Sequence, residues 1–528
     1  MQEMAPVPQP ATCSSSSSMK SFHSLPTIEE VKGYTSSRFT DQRRQSCAQI
    51  LSEEQSSSPC GNECPESILL DPDYPRNISS KHNLRKQILK YAIKICIGVF
   101  LAMTVFVVSA VLFIRSRDSH ERSNFSSSDA LEAAIQFLDE TRVTARDILL
   151  APESPQSRAV EWMVFQDAAQ RPVPSSLLGT EALQYVQRYS LAVFYFATGG
   201  PTEWNEQLNF LSPSHECGWF KEKAPGGTVS YEYPMGVSCN EEMMATHLFI
   251  PRNGLTGSLP EEFFELRELS FLSLPHNALE QEFDGPMDLL LNSMVNLEYL
   301  DLMDNKFHGI VPTAFGNWVF LQVLVLSSNN FHGSLPSSLS NLEKLKTLAL
   351  DDNDLTGQLE VVTDHMTSLE YFYADRNQFV QLVDGNFAAT LNRLRELDLS
   401  HNELYSASSQ SLPAHFFSHP SLQVLNLAYN DLRGNLPNEL GTNPVLNFLS
   451  LRGNELHGTI TSFSLPRLES LTYLDVQENR FEGVLPVTMR NLKDLTYLAL
   501  GTNEFVFTGL PSWFWSLTRL RELSVPRL

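Results

Sequence analysis

The sequence predicts an α/β solenoid: a horseshoe of stacked coils with a parallel β-sheet on its concave face, preceded by a small helical region, one transmembrane helix and a disordered N-terminal tail. Three observations predict it. The pattern LxxLxLxxN recurs, as at Leu321, Leu324, Leu326 and Asn329, and again at Leu345, Leu348, Leu350 and Asn353. Its asparagine returns at Asn253, Asn277, Asn305, Asn329, Asn353, Asn377, Asn402, Asn430, Asn454, Asn479 and Asn503, at steps of 24, 28, 24, 24, 24, 25, 28, 24, 25 and 24 residues. Far upstream, Ile95 to Ile114 is a run of twenty residues without a charge.

The spacing has a simple physical reading. Side chains along a strand alternate faces, so the leucines of LxLx point inward and the residues between them point out. The asparagine falls where the chain turns away, and its amide is expected to bond the backbone of the next coil. Losing such a buried partner costs about 1–3 kcal/mol. No coil covers its own apolar face, so neighbours must stack. Residues 245–528 hold eleven complete coils and the opening of a twelfth. The return segments read LTGSLP at Leu255 to Pro260, FHGIVP at Phe307 to Pro312, FHGSLP at Phe331 to Pro336, LRGNLP at Leu432 to Pro437 and FEGVLP at Phe481 to Pro486. Glycine permits the turn and proline opposes helix, so an extended far side is expected. On these motifs, across about residues 215–528, the chain resembles the plant-type leucine-rich repeat family. The extracellular members of that family are receptors, co-receptors and enzyme inhibitors. The resemblance implies the fold and leaves the ligand open.

Charge and cysteine placement narrow the class. Lys+Arg 38 against Asp+Glu 61 gives −23, a balance that argues against nucleic-acid binding. Residues 1–80, rich in Ser, Pro and Gln, read as a disordered cytoplasmic tail. Within it Arg43-Arg44-Gln45-Ser46 is either a site for a basophilic kinase or plain solvated chain. Cys60 and Cys64 lack the further ligands that zinc needs. Residues 81–94 form a basic juxtamembrane segment, and 95–114 suit a membrane-spanning helix. Lys81, Arg85, Lys86, Lys90 and Lys94 before it outnumber Arg115, Arg117 and Arg122 after it, which favours an inside N-terminus. The glycosylation acceptor Asn124-Phe125-Ser126 and the pair Cys217 and Cys239 lie on the other side, as that topology requires. Asn77-Ile78-Ser79 would then stay unused in the cytosol. The expected protein is single-pass, with its N-terminus cytoplasmic and its repeats extracellular or lumenal, most naturally at the plasma membrane.

Residues 115–214 read as helical. Leu131, Ile135 and Leu138 share a face behind Ser128 or Asp129 as cap. Ser154-Pro155 opens a second helix with Val160, Met163 and Val164 as its stripe. A third runs from about Glu181 to Thr198 and stops at Gly199-Gly200. The order SPQSRAVEW, QRYSLAVFYFATGG, Trp204 and HECGWF resembles the lead-in of leucine-rich repeat membrane proteins abundant in diatoms. In 215–244, Cys217-Gly218-Trp219 and Gly236-Val237-Ser238-Cys239 resemble the plant-type N-terminal cap, with a longer insert between them. That resemblance implies a Cys217–Cys239 disulfide bracing a cover for the first coil. The two 28-residue coils carry inserts, Leu279 to Val295 and Leu404 to Pro420, expected as short helices on the convex side. Leu520, Leu523 and Val525 open the last strand, and Leu528 leaves its coil unfinished, so a longer chain or a partner over that end is expected.

No catalytic constellation is present: there is no HExxH, HRD or DFG, and His308, His332 and His457 merely recur beside the repeat glycine. No enzyme activity, cofactor or metal is therefore expected. The candidate surface is the outward row before the second strand leucine: His247, Phe271, Tyr299, Val323, Thr347, Tyr371, Glu396, Val424, Phe448, Tyr473 and Tyr497. Beside it lie Asp301, Tyr373, Asp375, Asp398 and Asp475. Aromatics next to carboxylates suit a protein, peptide or glycan ligand. Aromatics are also favoured in strands without any ligand. The resulting expectation is a membrane-anchored recognition module of receptor-like type, signalling through its tail or a co-receptor. Its rivals are an adhesive or structural surface protein, and a receptor kinase lacking its kinase domain.

Overall fold

The computed structural model describes residues 127–525, apart from 222–233, 284, 360–364, 383–390, 407–411, 413–418, 462–464 and 508. The tail, the juxtamembrane segment, the apolar run 95–114, the acceptor Asn124 and most of the second insert lie outside the described residues. Among the described residues no helix is long and apolar enough to cross a membrane.

Helix α1 spans Ser127–Glu140, starting a residue or two before the expected cap. A single turn, α2 (Arg146–Leu149), follows, too short to show as a periodic stripe. Helix α3 (Pro155–Glu161) begins as the Ser-Pro pair predicts, with the Ser154 hydroxyl accepting from the Ser157 amide at 3.0 Å. It runs on as a π-helical turn over Trp162–Gln166. Helix α4 (Thr180–Ala197) closes at Thr198, and Gly199 turns the chain away at φ +79°. The first insert does form a helix, α5 (Gly285–Leu291).

One sheet of fourteen strands organises the rest. Strands β1 (Phe220–Lys221), β2 (Met235–Cys239) and β3 (Ala245–Phe249) pair antiparallel, and the Cys217–Cys239 disulfide ties β2 to the loop before β1. From β3 onward all pairing is parallel and in line: Phe271↔Tyr299↔Val323↔Thr347↔Tyr371↔Glu396↔Val424↔Phe448↔Tyr473↔Tyr497↔Glu522. The register holds because each strand's central apolar residue, leucine except for Phe372, must meet its neighbour inside; Leu324, Leu348, Phe372, Leu397, Leu425, Leu449, Leu474 and Leu498 are all fully buried. Burial of that kind stabilises by about 1.5–3 kcal/mol per side chain.

The return side corrects one expectation. It is extended where the glycine lies, in strands such as Asn330–Ser334 and Glu455–Thr459. After the proline, however, comes a one-turn 3₁₀ helix: Thr313–Asn317 after Pro312, Ser337–Asn341 after Pro336, Val487–Asn491 after Pro486. Proline opposes the interior of a helix, but its fixed φ suits the position just before one.

The asparagine ladder is present, and its direction corrects a second expectation. The amide of Asn329 donates to Leu302 O at 3.0 Å in the preceding coil, and to Leu326 O and Ser327 O in its own. Its carbonyl accepts the Phe307 amide, also in the preceding coil, at 3.0 Å. Asn305, Asn353, Asn377, Asn402, Asn430, Asn454, Asn479 and Asn503 repeat this, each reaching back rather than forward. Asn277 reaches Ile250 O in the same way, and Asn253 bonds Glu206, so the lead-in supplies the missing coil's backbone.

Each ladder asparagine follows a left-handed residue, for example Asp304, Ser328, Asp352 and Glu478 at φ between 53° and 61°. That conformation puts the preceding amide in line with the next coil, as in Ser328 N to Asp351 O at 2.8 Å. It costs a non-glycine residue about 1–2 kcal/mol. Ser328→Val, β-branched, is expected to lower stability by about 1–2 kcal/mol while Ser328→Gly does not, measured by urea unfolding.

The helical lead-in covers the first coil. Phe194 of α4 meets Phe263 of the first return segment at 5.2 Å, and Thr144 bonds both Tyr189 and Glu262. Gln187 accepts the Ala245 amide at the start of β3. Arg188 is wholly buried: it holds Asp167 with two bonds of 2.7 Å and Glu216 at 3.1 Å, between the rings of Trp162 and Trp219 at 5.0 and 4.9 Å.

Candidate binding face

The strands present their outward side chains in rows about 4.8 Å apart. Neighbours therefore stack face to face. Phe448, Tyr473 and Tyr497 form one such stack with centroids 4.3 Å apart and planes 11° and 6° from parallel. His247, Phe271 and Tyr299 form another at 5.4 and 4.3 Å. Stacking hides ring faces and leaves ring edges for contact. Tyr299 and Tyr371 are buried, whereas Tyr373, Phe448, Tyr473 and Tyr497 are partly exposed.

The carboxylates differ from the exposed acids expected. Asp301, Asp375, Asp398 and Asp475 are buried, and three of the four close their own turn. Asp301 accepts the Met303 amide at 3.1 Å, Asp398 the Ser400 amide at 3.0 Å and Asp475 the Gln477 amide at 3.0 Å. An aspartate two residues before an amide leaving a strand makes an Asx-type turn, a local use that needs no ligand. Asn426 further donates to Asp398, and Ser273 to Asp301. Asp375 instead pairs with Arg376 at 2.6 Å.

Burial raises these carboxyls. Asp375 is pushed up to about 8 by burial and by the nearby Asp398 and Asp351. Asp301 is raised to about 6 by burial alone against two hydrogen bonds. A carboxyl raised in the fold binds its proton more tightly folded than unfolded. Its stabilisation is full below the ordinary 3.8 and fades as pH climbs toward 8. Thermal unfolding is thus expected at higher temperature at pH 5 than at pH 8.5, with Asp375→Asn narrowing the gap.

Next to this face lies a group that sequence reasoning missed. His401 stacks on Tyr429 at 4.5 Å, and Arg452 lies over the other side at 5.6 Å while bonding Glu478. His401, Tyr429 and Glu478 occupy the left-handed position and Arg452 the one before it, whose residue types vary from coil to coil, so no motif marks them.

The Leucine rich repeat family profiles match residues 295–355, 393–418, 421–443 and 470–492. These matches fall on the in-line strands and the ladder between them. The matched stretches are leucine-rich repeats. Receptor-like protein 39 of Arabidopsis thaliana is 30% identical over 136 residues, 25% of this chain and 15% of that protein. Receptor-like protein 41 of the same plant is 33% identical over 145 residues, 26% of this chain and 15% of that protein. The repeat protein thus spans about a seventh of the length of these curated relatives. Among solved structures, the ectodomain of the Arabidopsis thaliana membrane receptor kinase GASSHO1/SCHENGEN3 matches at 30% identity and TM-score 0.49, over 54% of this chain and 33% of that one. In this leucine-rich repeat protein the Cys217–Cys239 bond has Cα atoms 5.4 Å apart, as the cap resemblance implies.

Proposed function

We propose that this is a single-pass membrane protein that recognises a peptide or protein ligand on its concave strand face and catalyses nothing itself. The observation that carries the reading is the partly exposed edge of the Phe448–Tyr473–Tyr497 stack. It is an aromatic row held in register by parallel strands. Ring edges and hydroxyls suit peptide backbone and side chains. A sugar ring would need the faces that the stack conceals, so a glycan ligand is disfavoured. The receptor-like relatives support the class. The apolar run at 95–114, with more cationic residues before it than after, supports an anchor with the N-terminus inside. A short cytoplasmic tail would pass the signal, directly or through a co-receptor.

Protease treatment of intact cells followed by peptide mapping tests the placement. Peptides from 215–528 are expected in the released fraction, with residues 1–80 protected. Protection of both regions, or release of the tail alone, contradicts the reading.

A further inference from the structure

Four successive coils enter their strands through the same two-residue turn. It closes with Leu269 N on Leu266 O, Leu297 N on Met294 O, Leu321 N on Trp318 O and Leu345 N on Leu342 O, at distances between 2.8 and 3.3 Å. The closing residues are buried, so the pair between them is turned out of the core. The strands that follow are in line, Phe271↔Tyr299↔Val323↔Thr347, and each pair stands just before that row. The four pairs therefore align as two rows along one edge of the solenoid. One row reads Arg267, Val295, Val319 and Glu343. The other reads Glu268, Asn296, Phe320 and Lys344. Val295, Val319 and Phe320 are 47%, 47% and 45% exposed, an apolar centre between charged ends. Arg267 bonds Glu265 of its own coil at 2.8 Å, and Lys344 lies over the Phe320 ring at 4.3 Å, which holds both cations at the surface. The next pair, Thr367 and Ser368, is uncharged and ends the pattern.

This pattern is its own complement. A two-fold axis along the stack sets one row against the other: Arg267 meets a second copy's Glu268, Val319 its Phe320 and Glu343 its Lys344. An axis across the stack reverses the coils, so Arg267 meets a second copy's Glu343, Glu268 its Lys344 and Val295 its Val319. Either way unlike charges meet at the ends and apolar groups in the middle, as a contact between identical surfaces requires. Two cations and two carboxylates cancel here in a chain of −23, so copies meet at this edge without the repulsion of their acidic surface. We propose that the edge from Arg267 to Lys344 pairs two copies of this chain. So narrow a patch falls at the small end of specific interfaces, and the dimer it makes is weak and reversible.

The test uses the purified full chain in detergent, with photo-reactive p-benzoylphenylalanine at Val319 or, as control, at Val484, an exposed residue of the return side (70%). Illumination is expected to give a covalent dimer from position 319 and none from 484. The attachment should map to residues 267–268, 295–296, 319–320 or 343–344 of the second chain. Lys344→Glu should cut the dimer yield about tenfold, because it sets like charges together in two symmetry-related places. Adding Glu343→Lys should restore the yield if the axis runs along the stack, and adding Glu268→Lys if the axis crosses it. No dimer from 319, equal dimer from 319 and 484, or attachment elsewhere overturns the proposal. So does a yield indifferent to Lys344→Glu, or a loss that neither second change repairs.

Discussion

Asn329→Ala is expected to lower stability by about 1–3 kcal/mol, since it leaves the Phe307 amide buried without a partner, while the Leu302 carbonyl keeps the Asn305 amide as its donor. Asn329→Asp should do comparable harm. It keeps an acceptor for Phe307 but loses the donor that three carbonyls share, and it brings a charge into the ladder. A solenoid spreads such damage only to neighbours, so the loss should be local. Amide hydrogen exchange should rise at Phe307 and Phe331 while remaining slow at Leu498 and Ala499. Uniform loss of protection along the array would show that the ladder is not a series of pairwise braces.

Arg188→Met should cost about 3–5 kcal/mol, because it strands Asp167 and Glu216 in the interior without their shared cation. Glu216 would retain Arg171 at 3.0 Å and Gln187 at 2.9 Å, so Asp167 carries most of the penalty. The double substitution Arg188→Met with Asp167→Asn is therefore expected to recover part of the loss. Denaturant midpoints of the two singles and the double measure the coupling. A double variant no better than Arg188→Met alone would mean that the packing between Trp162 and Trp219, not the ion pair, holds the lead-in to the cap.

Much of this fold was legible because the physical demand repeats. A leucine at each inward strand position and an asparagine at each turn state the same constraint eleven times, so coil boundaries and strand register followed from the sequence. The start at Ser154-Pro155 and the stop at Gly199-Gly200 were legible for local reasons, a cap and a left-handed turn. The backward reach of the ladder was not, since an asparagine's type says nothing about which neighbour its amide meets. The aspartates misled for a related reason. Asp301, Asp398 and Asp475 look like displayed acids in the alternation of a strand, yet the amide two residues on claims each of them. The buried Arg188 was equally hidden, because its partners Asp167 and Glu216 are 21 and 28 residues away on irregular chain.

The concave face as the place of recognition is tested most directly by ligand retention. Full-length protein in detergent would be incubated with the peptides of the cell's own medium, and retained species identified by mass. The unaltered chain is expected to hold a discrete set of peptides. The pair Tyr473→Ser and Tyr497→Ser should release that set, while Ile310→Ser with Val484→Ser on the return side keeps it. Retention lost through the return-side pair and untouched by the tyrosine pair would contradict the account.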